Sequence, residues 1–357
     1  MFVIRPRVVG LDSVYLGWVI RSGIFDAFVS YHYAGSTINH LYQNVFETFC
    51  FPCPDLETQK TIAAFLDRET ARIDQLTAKK ERQAEVLAEK RSSELDSRVF
   101  AQGSESITSR KSSHKRMPAI PAHWRATKIL RVCDFLSDGT HLPPPRTDEG
   151  IPLLSVRNIV NGNFVNLHDD SLISNEAYAD LCRSFVVQSG DIVMAIVGAT
   201  IGKVAIVQKM PPFHIQRSVA VMRPSRSLVS SEFLTYYLRT RFFQSLLWES
   251  TSFSAQPGIY LTDLGRFPII LPPLDEQAET VKQMQTIFAP IERAQSMVSA
   301  SIDRLQEYRY ALVTAAVTGK IDVPTWRKCG TTDRRLDAFE ADMGASAQPE
   351  RQEAARA

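Results

Sequence analysis

Two long polar segments that each carry a periodic apolar stripe stand out in the pattern of the chain. Each follows a Pro-rich strand end, Phe51-Pro-Cys-Pro or Ile270-Leu-Pro-Pro, and continues for some 45 residues without a glycine. In the second segment the apolar positions alternate in steps of three and four: Val281, Met284, Phe288, Ile291, Val298, Ile302, Leu305 and Leu312. This heptad seam predicts a long helix that packs on a partner helix. We expect Pro290 to divide it into a short piece from about Asp275 and a longer one from Pro290 to Thr318.

The first segment has the same seam in a weaker form. Leu66, Ile73 and Leu87 occupy it, but the polar residues Thr77, Lys80 and Glu94 interrupt the stripe. Because neither helix would be stable alone, the pattern favours packing of the two helices on each other. The alternative is that both helices simply cover a globular domain.

The stretch from Pro121 to Pro224 is rich in strand-like runs separated by glycines. These runs are Ile151 to Val156, Gly190 to Val197, Ile201 to Val207 and Ser218 to Met222. Ser230 to Leu247 then has the apolar spacing of a helix. The predicted fold class is therefore α+β.

An internal repeat organises the chain. Shifting the sequence by 218 residues aligns Val3 to Val99 with Val221 to Val317 without a gap, and 19 of those 97 positions are identical. Shared composition alone would give roughly 6 identities. Residues Met117 to Ala220 have no counterpart ahead of the first copy. We therefore expect two copies of one unit, the first without its front half.

Composition and charge exclude several classes of protein. Hydrophobic residues make up 44% and charged residues 22% of the 357 residues, which is typical of a globular protein and not of a disordered one. No apolar run reaches the roughly 20 residues that cross a bilayer, and the N-terminus lacks the features of a secretory signal. The five cysteines are odd in number and lack the regular spacing of a disulfide-bonded framework, which indicates reduced thiols. We therefore predict a cytoplasmic protein. A net charge of +2 does not by itself indicate a nucleic-acid partner.

The motifs that would indicate catalysis are incomplete. Gly198 to Val204 resembles a phosphate-binding loop but is one residue short, and we interpret it as a hairpin turn. Cys50 and Cys53 have the spacing of a zinc or redox pair, but the repeat places Pro268 and Leu271 there, so we interpret the thiols as structural packing. The seven histidines form no metal-binding motif. We predict no catalytic centre, metal site or cofactor.

The duplicated arrangement resembles the specificity subunit of type I restriction-modification systems. The second copy shows the resemblance best, through Pro272-Pro-Leu-Asp-Glu-Gln277, Leu305-x-x-x-Arg309-x-x-Leu312 and Val317-Thr-Gly-Lys320. The first copy has the weaker Pro54-Asp-Leu-Glu-Thr-Gln59. Further similar pieces are Asp138-Gly-Thr-His141, Gly190-Asp-Ile192, Gly198 to Gly202 and Gln216 to Pro224.

The resemblance implies a protein without enzymatic activity that reads a bipartite site on double-stranded DNA. Its target-recognition domains, of mixed sheet and helices, would be joined by two long helices in an antiparallel coiled coil with a pseudo-two-fold repeat. Methylating (M) subunits would dock on this scaffold and motor-nuclease (R) subunits would join them, with no membrane partner. Such an arrangement is physically sensible, because half-sites can be read together only if a stiff element sets their spacing.

Polar residues near strand ends and turns are the candidates for reading DNA, since Arg, Lys, Asn and Gln contact base edges. The candidates are Thr140, His141, Arg146, Arg157, Asn158, Lys203, Gln216, Arg217, Ser254 and Gln256. The alternative for each is an ordinary solvated or turn residue, or a contact to phosphate. The repeated positions are the candidates for scaffold and partner contacts: Pro54, Leu56, Gln59, Ile73, Leu87, Arg91, Pro272, Leu274, Gln277, Ile291, Leu305 and Arg309.

These observations predict six segments. They are the C-terminal half of a first target-recognition domain (1–54), a first long helix (55–101), a linker (102–119), a complete second target-recognition domain (120–272), a second helical segment (273–320) and a polar tail (321–357), which we expect to be disordered.

The missing front half predicts an uncovered apolar face in the first copy, formed by Phe2, Val3, Ile4, Val8, Val9, Leu16, Trp18, Ile20 and Phe25. Three explanations are considered, namely a start further upstream, a degraded gene and a half supplied by a separate polypeptide, and we favour the first or the second. Two other functions also remain open at this point. One is a coiled-coil adaptor or inactive fragment without DNA specificity, and the other is a self-sufficient restriction or methylating enzyme.

Overall fold

A computed structural model describes residues 10–33, 43–102, 109–110, 117–251, 257–324 and 326. The chain divides into two compact units. Unit 1 combines Met1–Leu87 with Arg293–Ala357, and unit 2 is Ala88–Glu292. The six predicted segments stay a prediction, since the two units each take part of both long helices.

The described residues form nine α-helices. They are α1 (Ser13–Ile20), α2 (Gly23–Tyr33), α3 (Gln43–Phe46), α4 (Leu56–Val99), α5 (Asn175–Cys182), α6 (Ser231–Leu238), α7 (Arg241–Glu249), α8 (Leu261–Arg266) and α9 (Leu274–Val317). The repeat is visible in their bounds. Helices α4 and α9 begin and end at positions 218 residues apart, as do α1 and α6.

Thirteen strands complete the described structure. They are β1 (Ser109–Arg110), β2 (Ile120–Pro121), β3 (Arg125–Lys128), β4 (Cys133–Asp138), β5 (Ile151–Leu154), β6 (Ile159–Val160), β7 (Asn163–Phe164), β8 (Leu172–Ile173), β9 (Ile192–Ala195), β10 (Val204–Ile206), β11 (His214–Ile215), β12 (Val219–Pro224) and β13 (Pro268–Leu271). The largest sheet has the order β4-β12-β9-β10-β7-β6, and a smaller one has the order β11-β5-β8. The α+β class is thereby confirmed.

The expected break of the second long helix at Pro290 is wrong. Helix α9 runs through Pro290 as one helix of 44 residues. A proline in a helix removes one N–H and leaves the carbonyl four residues earlier without its partner. Pro290 and Thr286 both lie on the exposed side of α9, so water can bond the carbonyl that the proline leaves free.

In unit 1, α4 and α9 pack antiparallel to each other. The Tyr15 hydroxyl donates to the Pro52 carbonyl, just ahead of α4, at 2.7 Å and lies 3.4 Å from the Val317 carbonyl at the end of α9. Further along, Arg309 Nε donates to Asp74 Oδ1 at 2.8 Å. The apolar core between the helices contains the predicted seam residues Leu66, Ile73, Leu305 and Leu312.

In unit 2, the same two helices are again antiparallel. Arg91 Nη2 lies 3.2 Å from Glu292 Oε1, and Arg98 Nη1 donates to Gln283 Oε1 at 3.4 Å. The Arg91 guanidinium also lies over the Phe288 ring, 4.5 Å from its centre. The pairs Arg91–Glu292 and Asp74–Arg309 occupy equivalent positions of the repeat. Each unit therefore has an equivalent ion pair between the helices, with the arginine on α9 in unit 1 and on α4 in unit 2.

The single helix predicted for Ser230 to Leu247 is two helices, α6 and α7. Thr240 separates them, because its hydroxyl donates to the Tyr237 carbonyl at 2.7 Å and accepts from the Phe243 N–H at 3.3 Å. One side chain thus closes α6 and caps α7. The apolar spacing continues across this break, which is why periodicity alone did not show it.

The uncovered face expected in the first copy is only partly present. Leu16 and Trp18 are buried in unit 1, and the Trp18 indole donates to Asp67 on α4 at 2.9 Å. That part of the expectation is wrong, because both side chains are covered and the Trp18 ring packs in the core between the long helices. Phe2 to Val9 lie outside the described residues.

An aromatic cluster of unit 1 is less covered than its counterpart in unit 2. Its rings, all half-buried, are Phe25, Phe28, Phe46, Phe49 and Phe51. The counterparts of four of them are buried: Phe243, Leu264, Phe267 and Ile269. There β13 pairs with β3, and Ile129 N–H donates to the Phe267 carbonyl at 3.0 Å. Residues 50–53, the equivalent of β13, form no strand within the described structure.

The interpretation of Cys50 and Cys53 as packing residues is wrong, since both thiols are exposed. Their counterparts Pro268 and Leu271 lie in β13 against β3. Among the described residues, no group of three or more His, Cys, Asp or Glu side chains is placed to hold a metal ion.

The predicted linker and tail are partly ordered. Within 102–119, strand β1 pairs with β2. In the tail, Ile321, Val323 and Trp326 pack against the core of unit 1, and the Trp326 ring meets Phe65 at 5.0 Å between ring centres. Across the described part of the chain, each helix is too short or too polar to span a lipid bilayer.

His214, at the start of β11, gives the fold a pH dependence. Its side chain is buried against the Phe185 ring, and burial lowers its pKa below the ordinary value of 6.5. The unfolded chain therefore binds a proton more readily, so stability is fully present above pH 6.5 and falls as the pH drops below it. We expect urea unfolding to show a smaller loss between pH 7.5 and 5.5 in His214→Phe than in the wild type. The exposed His168 offers a control, since His168→Gln should keep the wild-type loss.

Candidate nucleic-acid interface

One end of the six-stranded sheet gathers five of the ten predicted DNA-reading residues. We call this the loop surface and define it as residues 139–142, 198–203 and 216–218. Strand β4 ends there and β12 begins there, because Ala220 pairs with Asp138 in an antiparallel register. Strand β9 ends beside them and β10 begins beside them, since Val219 pairs with Ala195 and Val204 with Met194. The three segments of the loop surface therefore lie together at one end of the sheet.

Backbone hydrogen bonds hold these connections together. Thr140 N–H donates to the Ile215 carbonyl at 3.0 Å, and Arg217 N–H donates to the Thr140 carbonyl at 3.1 Å. Gly139 is required at this point, because a Cβ there would lie 2.2 Å from the Ile215 carbonyl oxygen. The loop surface is thus a rigid backbone framework from which side chains project.

The turn between β9 and β10 belongs to the loop surface, and its prediction as a hairpin turn is confirmed. Gly198 and Gly202 have φ of +85° and +88°, the left-handed region that favours glycine. Ile196 N–H donates to the Ser218 carbonyl at 3.0 Å, which joins this turn to the one that carries Arg217.

Five predicted residues are brought together here. Arg217 and Lys203 are exposed, and within the described structure neither side chain forms a hydrogen bond or an ion pair. His141 Nε2 lies 2.8 Å from Asp138 Oδ2. Thr140 Oγ1 donates to the Leu142 carbonyl at 2.9 Å, and the half-buried Gln216 donates to the Leu153 carbonyl at 3.3 Å. The surface thus presents the cations of Arg217 and Lys203 beside three further polar side chains.

Three other candidates are not placed on the loop surface by the described residues. Arg146 is exposed in the segment that leads to β5, and its neighbour Thr147 pairs with Leu172. Ser254 and Gln256 lie outside the described residues. The Pro257 carbonyl accepts a hydrogen bond from Gly198 N–H at 2.9 Å, so the described chain at Pro257 contacts the loop surface.

Arg157 and Asn158 have partners within the fold. Arg157 donates to both carboxylate oxygens of Asp169 at 2.8 and 2.9 Å, and these hydrogen bonds lower the pKa of that carboxyl. Asn158 is fully buried, and its amide donates to the Val165 carbonyl at 2.9 Å and to the Asp170 carboxylate at 2.8 Å. Because the Asn158 side chain is out of reach of a base, we leave it out of the candidate set.

The predicted scaffold glutamines make matching hydrogen bonds in the two units. In unit 2, Gln277 Nε2 donates to the Pro272 and Leu228 carbonyls, both at 2.9 Å, and its Oε1 accepts from Ser230 N–H at 2.9 Å. This side chain therefore ties the start of α9 to the start of α6.

In unit 1, the equivalent Gln59 donates to the Pro54 and Gly10 carbonyls at 2.7 and 2.8 Å, and it accepts from Asp12 N–H at 2.8 Å. Each of these three partners is shifted by 218 residues from the corresponding partner of Gln277. The shared motif thus forms a structural joint, by which we mean a glutamine that hydrogen-bonds the start of a long helix to the segment ahead of α1 in unit 1 and of α6 in unit 2.

The other scaffold candidates occupy the helix pair or its ends. Ile73, Ile291 and Leu305 are buried and Leu87 is half-buried. Leu56 and Leu274, the first residues of α4 and α9, are 41% and 45% exposed. Equivalent apolar side chains are therefore accessible at the start of each long helix.

Asp191 and Arg223 form an ion pair that the sequence did not identify. Asp191 is buried and accepts from Arg223 Nε and Nη2, both at 2.8 Å, which raises the pKa of the guanidinium. The pair lies at the end of the sheet opposite the loop surface and fixes β9 against β12. Both residues lie in pieces singled out by the resemblance, Gly190-Asp-Ile192 and Gln216 to Pro224, but their contact spans 32 positions that no local pattern connects.

Comparison with known proteins shows which family the chain resembles. The family model described as type I restriction modification DNA specificity domain matches residues 27–86 and 131–297. The chain is 28% identical over 298 residues to the type I restriction enzyme EcoBI specificity subunit of Escherichia coli, covering 82% of this chain and 62% of that protein. It is 26% identical over 319 residues to the MjaVIII specificity subunit of Methanocaldococcus jannaschii, covering 88% and 71%. The chain thus spans less than two thirds of the length of the EcoBI subunit.

A solved structure supports the fold. One chain in a structure of a type I R-M system, described as concerning complex assembly and conformational transition, is similar with a TM-score of 0.54 and 19% sequence identity. The match covers 87% of this chain and 72% of that one. Since the family model matches more than half of the residues, this chain belongs to the type I restriction modification DNA specificity domain family.

Proposed function

We propose that this chain is a DNA-recognition subunit of a type I restriction-modification complex, without catalytic activity of its own, that acts in the cytoplasm. It reads part of a bipartite duplex target, and its paired long helices are the scaffold for methylating (M) subunits, which motor-nuclease (R) subunits join. The observation that carries this proposal is the loop surface, where Arg217 and Lys203 stand free beside Thr140, His141 and Gln216 on a hydrogen-bonded backbone.

The side chains of the loop surface match the chemistry of a DNA groove. Arg and Lys donate to guanine O6 and N7, and Gln bonds adenine bidentately. Lys203 and Arg217 also carry the positive charge that phosphates attract. A rigid backbone helps here, because ordering a mobile loop on binding would cost free energy.

The helix pair suits a scaffold that sets spacing. A helix of 44 residues is about 66 Å long, comparable with about 19 base pairs of duplex. The matching joints of Gln59 and Gln277 hold such a helix to the element before it in each unit. A stiff rod of this kind can fix a register that a flexible linker cannot.

The proposal is tested by selecting bound duplexes from a random DNA pool with the full chain and its methylating partner. We expect enrichment of a defined sequence and binding that weakens steeply with salt. The competing function, a structural adaptor without a DNA role, predicts neither. Recovery of random sequences with salt-independent binding would contradict the proposal.

Substitutions on the loop surface should separate base contacts from phosphate contacts. We expect Arg217→Ala to weaken binding of the selected duplex roughly tenfold and to relax the preference at one base pair. Lys203→Ala should weaken binding to all sequences alike and reduce the salt slope by about 0.9 if it contacts one phosphate. Fluorescence anisotropy at several salt concentrations measures both effects.

Lys209 provides the matched control. Lys203 precedes β10 at the loop surface, whereas Lys209 follows the same strand at the opposite end of the sheet and is also exposed. Lys209→Ala should leave affinity and salt slope unchanged. An equal loss in Lys203→Ala and Lys209→Ala would mean that the loop surface is not the DNA-binding face.

A further inference from the structure

Leu142 is an apolar side chain in the middle of the polar loop surface. It is 88% exposed, more than any other large hydrophobic side chain in the described structure. Single exposed leucines are ordinary on protein surfaces. The surroundings of Leu142 and the rigidity of its backbone indicate that this side chain is placed to contact a ligand.

The backbone that presents Leu142 is fixed on both sides. Its carbonyl accepts from Thr140 Oγ1 at 2.9 Å, and Thr140 is itself bonded to Ile215 and Arg217. On the other side follow Pro143, Pro144 and Pro145, whose rings restrict φ. The side chain is thus held out into solvent by a loop that loses little conformational freedom on binding.

The neighbours of Leu142 indicate what it meets. His141 precedes it, and Arg217 is joined to the same loop through the Thr140 carbonyl. Arg and Gln side chains find distinct partners on base edges in the major groove, where the pattern of donors and acceptors is unique for each base pair. The apolar group on those edges is the 5-methyl of thymine.

We infer that Leu142 is a specificity-determining residue that contacts the 5-methyl group of a thymine in the major groove. The inference rests on the proposed function. At 88% exposure the side chain contributes little to the folded core, so its removal should affect recognition and not stability.

The test compares the full chain and Leu142→Ala in selections from a random duplex pool, each with the methylating partner. The wild type should select thymine at one position where Leu142→Ala shows no preference. Replacing that thymine by deoxyuridine, which removes only the methyl group, should weaken wild-type binding about fourfold, as expected for one buried methyl group. The same replacement should leave the affinity of Leu142→Ala unchanged.

A control separates this effect from a general loss of apolar surface. Leu130 is 59% exposed on the short turn Ile129–Arg131, and Leu130→Ala should keep the wild-type preference at every position. Equal binding of thymine and uracil duplexes by the wild type would overturn the inference. So would a Leu142→Ala variant that loses affinity for all sequences and bends DNA less, because that result indicates a wedge between base pairs.

The two proposals fail differently. If the wild type selects a defined sequence but Leu142→Ala selects the same one, the role of Leu142 is wrong and the proposed function stands. If the wild type selects no sequence, the proposed function fails and the inference falls with it.

Discussion

Replacing Gln277 by leucine should lower the free energy of unfolding by about 3 kcal/mol, since it leaves three hydrogen-bonding groups without their partner. The Gln277 side chain is fully buried. Leucine fills a similar volume but can neither donate to the Leu228 and Pro272 carbonyls nor accept from Ser230 N–H. Each buried polar group left without a partner costs about 1 to 3 kcal/mol, and solvent that enters at the helix ends recovers part of the loss.

Urea unfolding of the full chain, followed by circular dichroism, measures this change. Gln59→Leu should give a loss of similar size, because Gln59 makes the equivalent three bonds in unit 1. Gln285, exposed on the same helix as Gln277, provides the control, and Gln285→Leu should change stability by less than about 0.5 kcal/mol. A loss below about 1 kcal/mol in both Gln277→Leu and Gln59→Leu would show that the shared glutamine is not a structural joint.

The two glutamines also show how far sequence reasoning could reach. The repeat identified Gln59 and Gln277 as equivalent because both occupy the same place in a motif. Their partners could not be identified, since Gly10 and Leu228 lie 49 residues upstream in irregular backbone. A repeat shows which positions correspond, but contacts across the fold depend on tertiary structure.

The elements themselves were predictable where the pattern was strong. The seam of α9 follows from apolar spacing, and the burial of Ile291, Val298 and Leu305 agrees with it. The continuity of α9 through Pro290 was missed although the seam leaves position 290 outside the buried stripe, because a proline is the usual signal for a break in a helix. The break at Thr240 was missed for another reason, since one capping side chain decided it.

The candidate site was predicted less evenly. Thr140, Gln216 and Arg217 come together because β4 and β12 pair. Their positions at the ends of predicted strands therefore indicated correctly that they lie close to one another. Arg157 and Asn158 look the same in sequence, but their side chains bond the 165–170 segment. Residue type does not distinguish a side chain that faces solvent from one that holds a turn. Leu142 is absent from the predicted set because its side chain has no hydrogen-bonding group, and polarity was the property that defined the set.

The ion pair of Asp191 and Arg223, at the end of the sheet opposite the loop surface, should also have a large effect on stability. Asp191→Asn should lower the free energy of unfolding by about 3 kcal/mol, because it leaves the Arg223 guanidinium facing an amide and without its counter-charge. Asp191 is 1% exposed, and the Arg223 side chain is 28% exposed, so water can only partly replace the lost contact. Asp191 also accepts from Gln188 N–H at 2.8 Å, which adds to the loss.

Chemical denaturation of the full chain measures this loss, and the exposed pair Asp180–Arg183 supplies the control. Both of its side chains are more than 60% exposed, so Asp180→Asn should change the free energy of unfolding by less than about 0.5 kcal/mol. The double variant Asp191→Asn/Arg223→Met should recover part of the stability, because it removes the uncompensated charge while an apolar side chain keeps contact with the Phe135 ring. If the double variant is no more stable than Asp191→Asn, the unpaired charge is not the cause of the loss.

The functional consequence follows from the position of the pair in the sheet. Asp191 and Arg223 fix the register of β9 against β12, and the opposite ends of those two strands carry the turn 198–203 and Arg217. At a temperature where Asp191→Asn is folded, we expect the same selected DNA sequence as for the wild type, whereas Arg217→Ala changes it. A changed sequence preference in the folded Asp191→Asn variant would mean that the pair positions the loop surface directly and does more than stabilise the sheet.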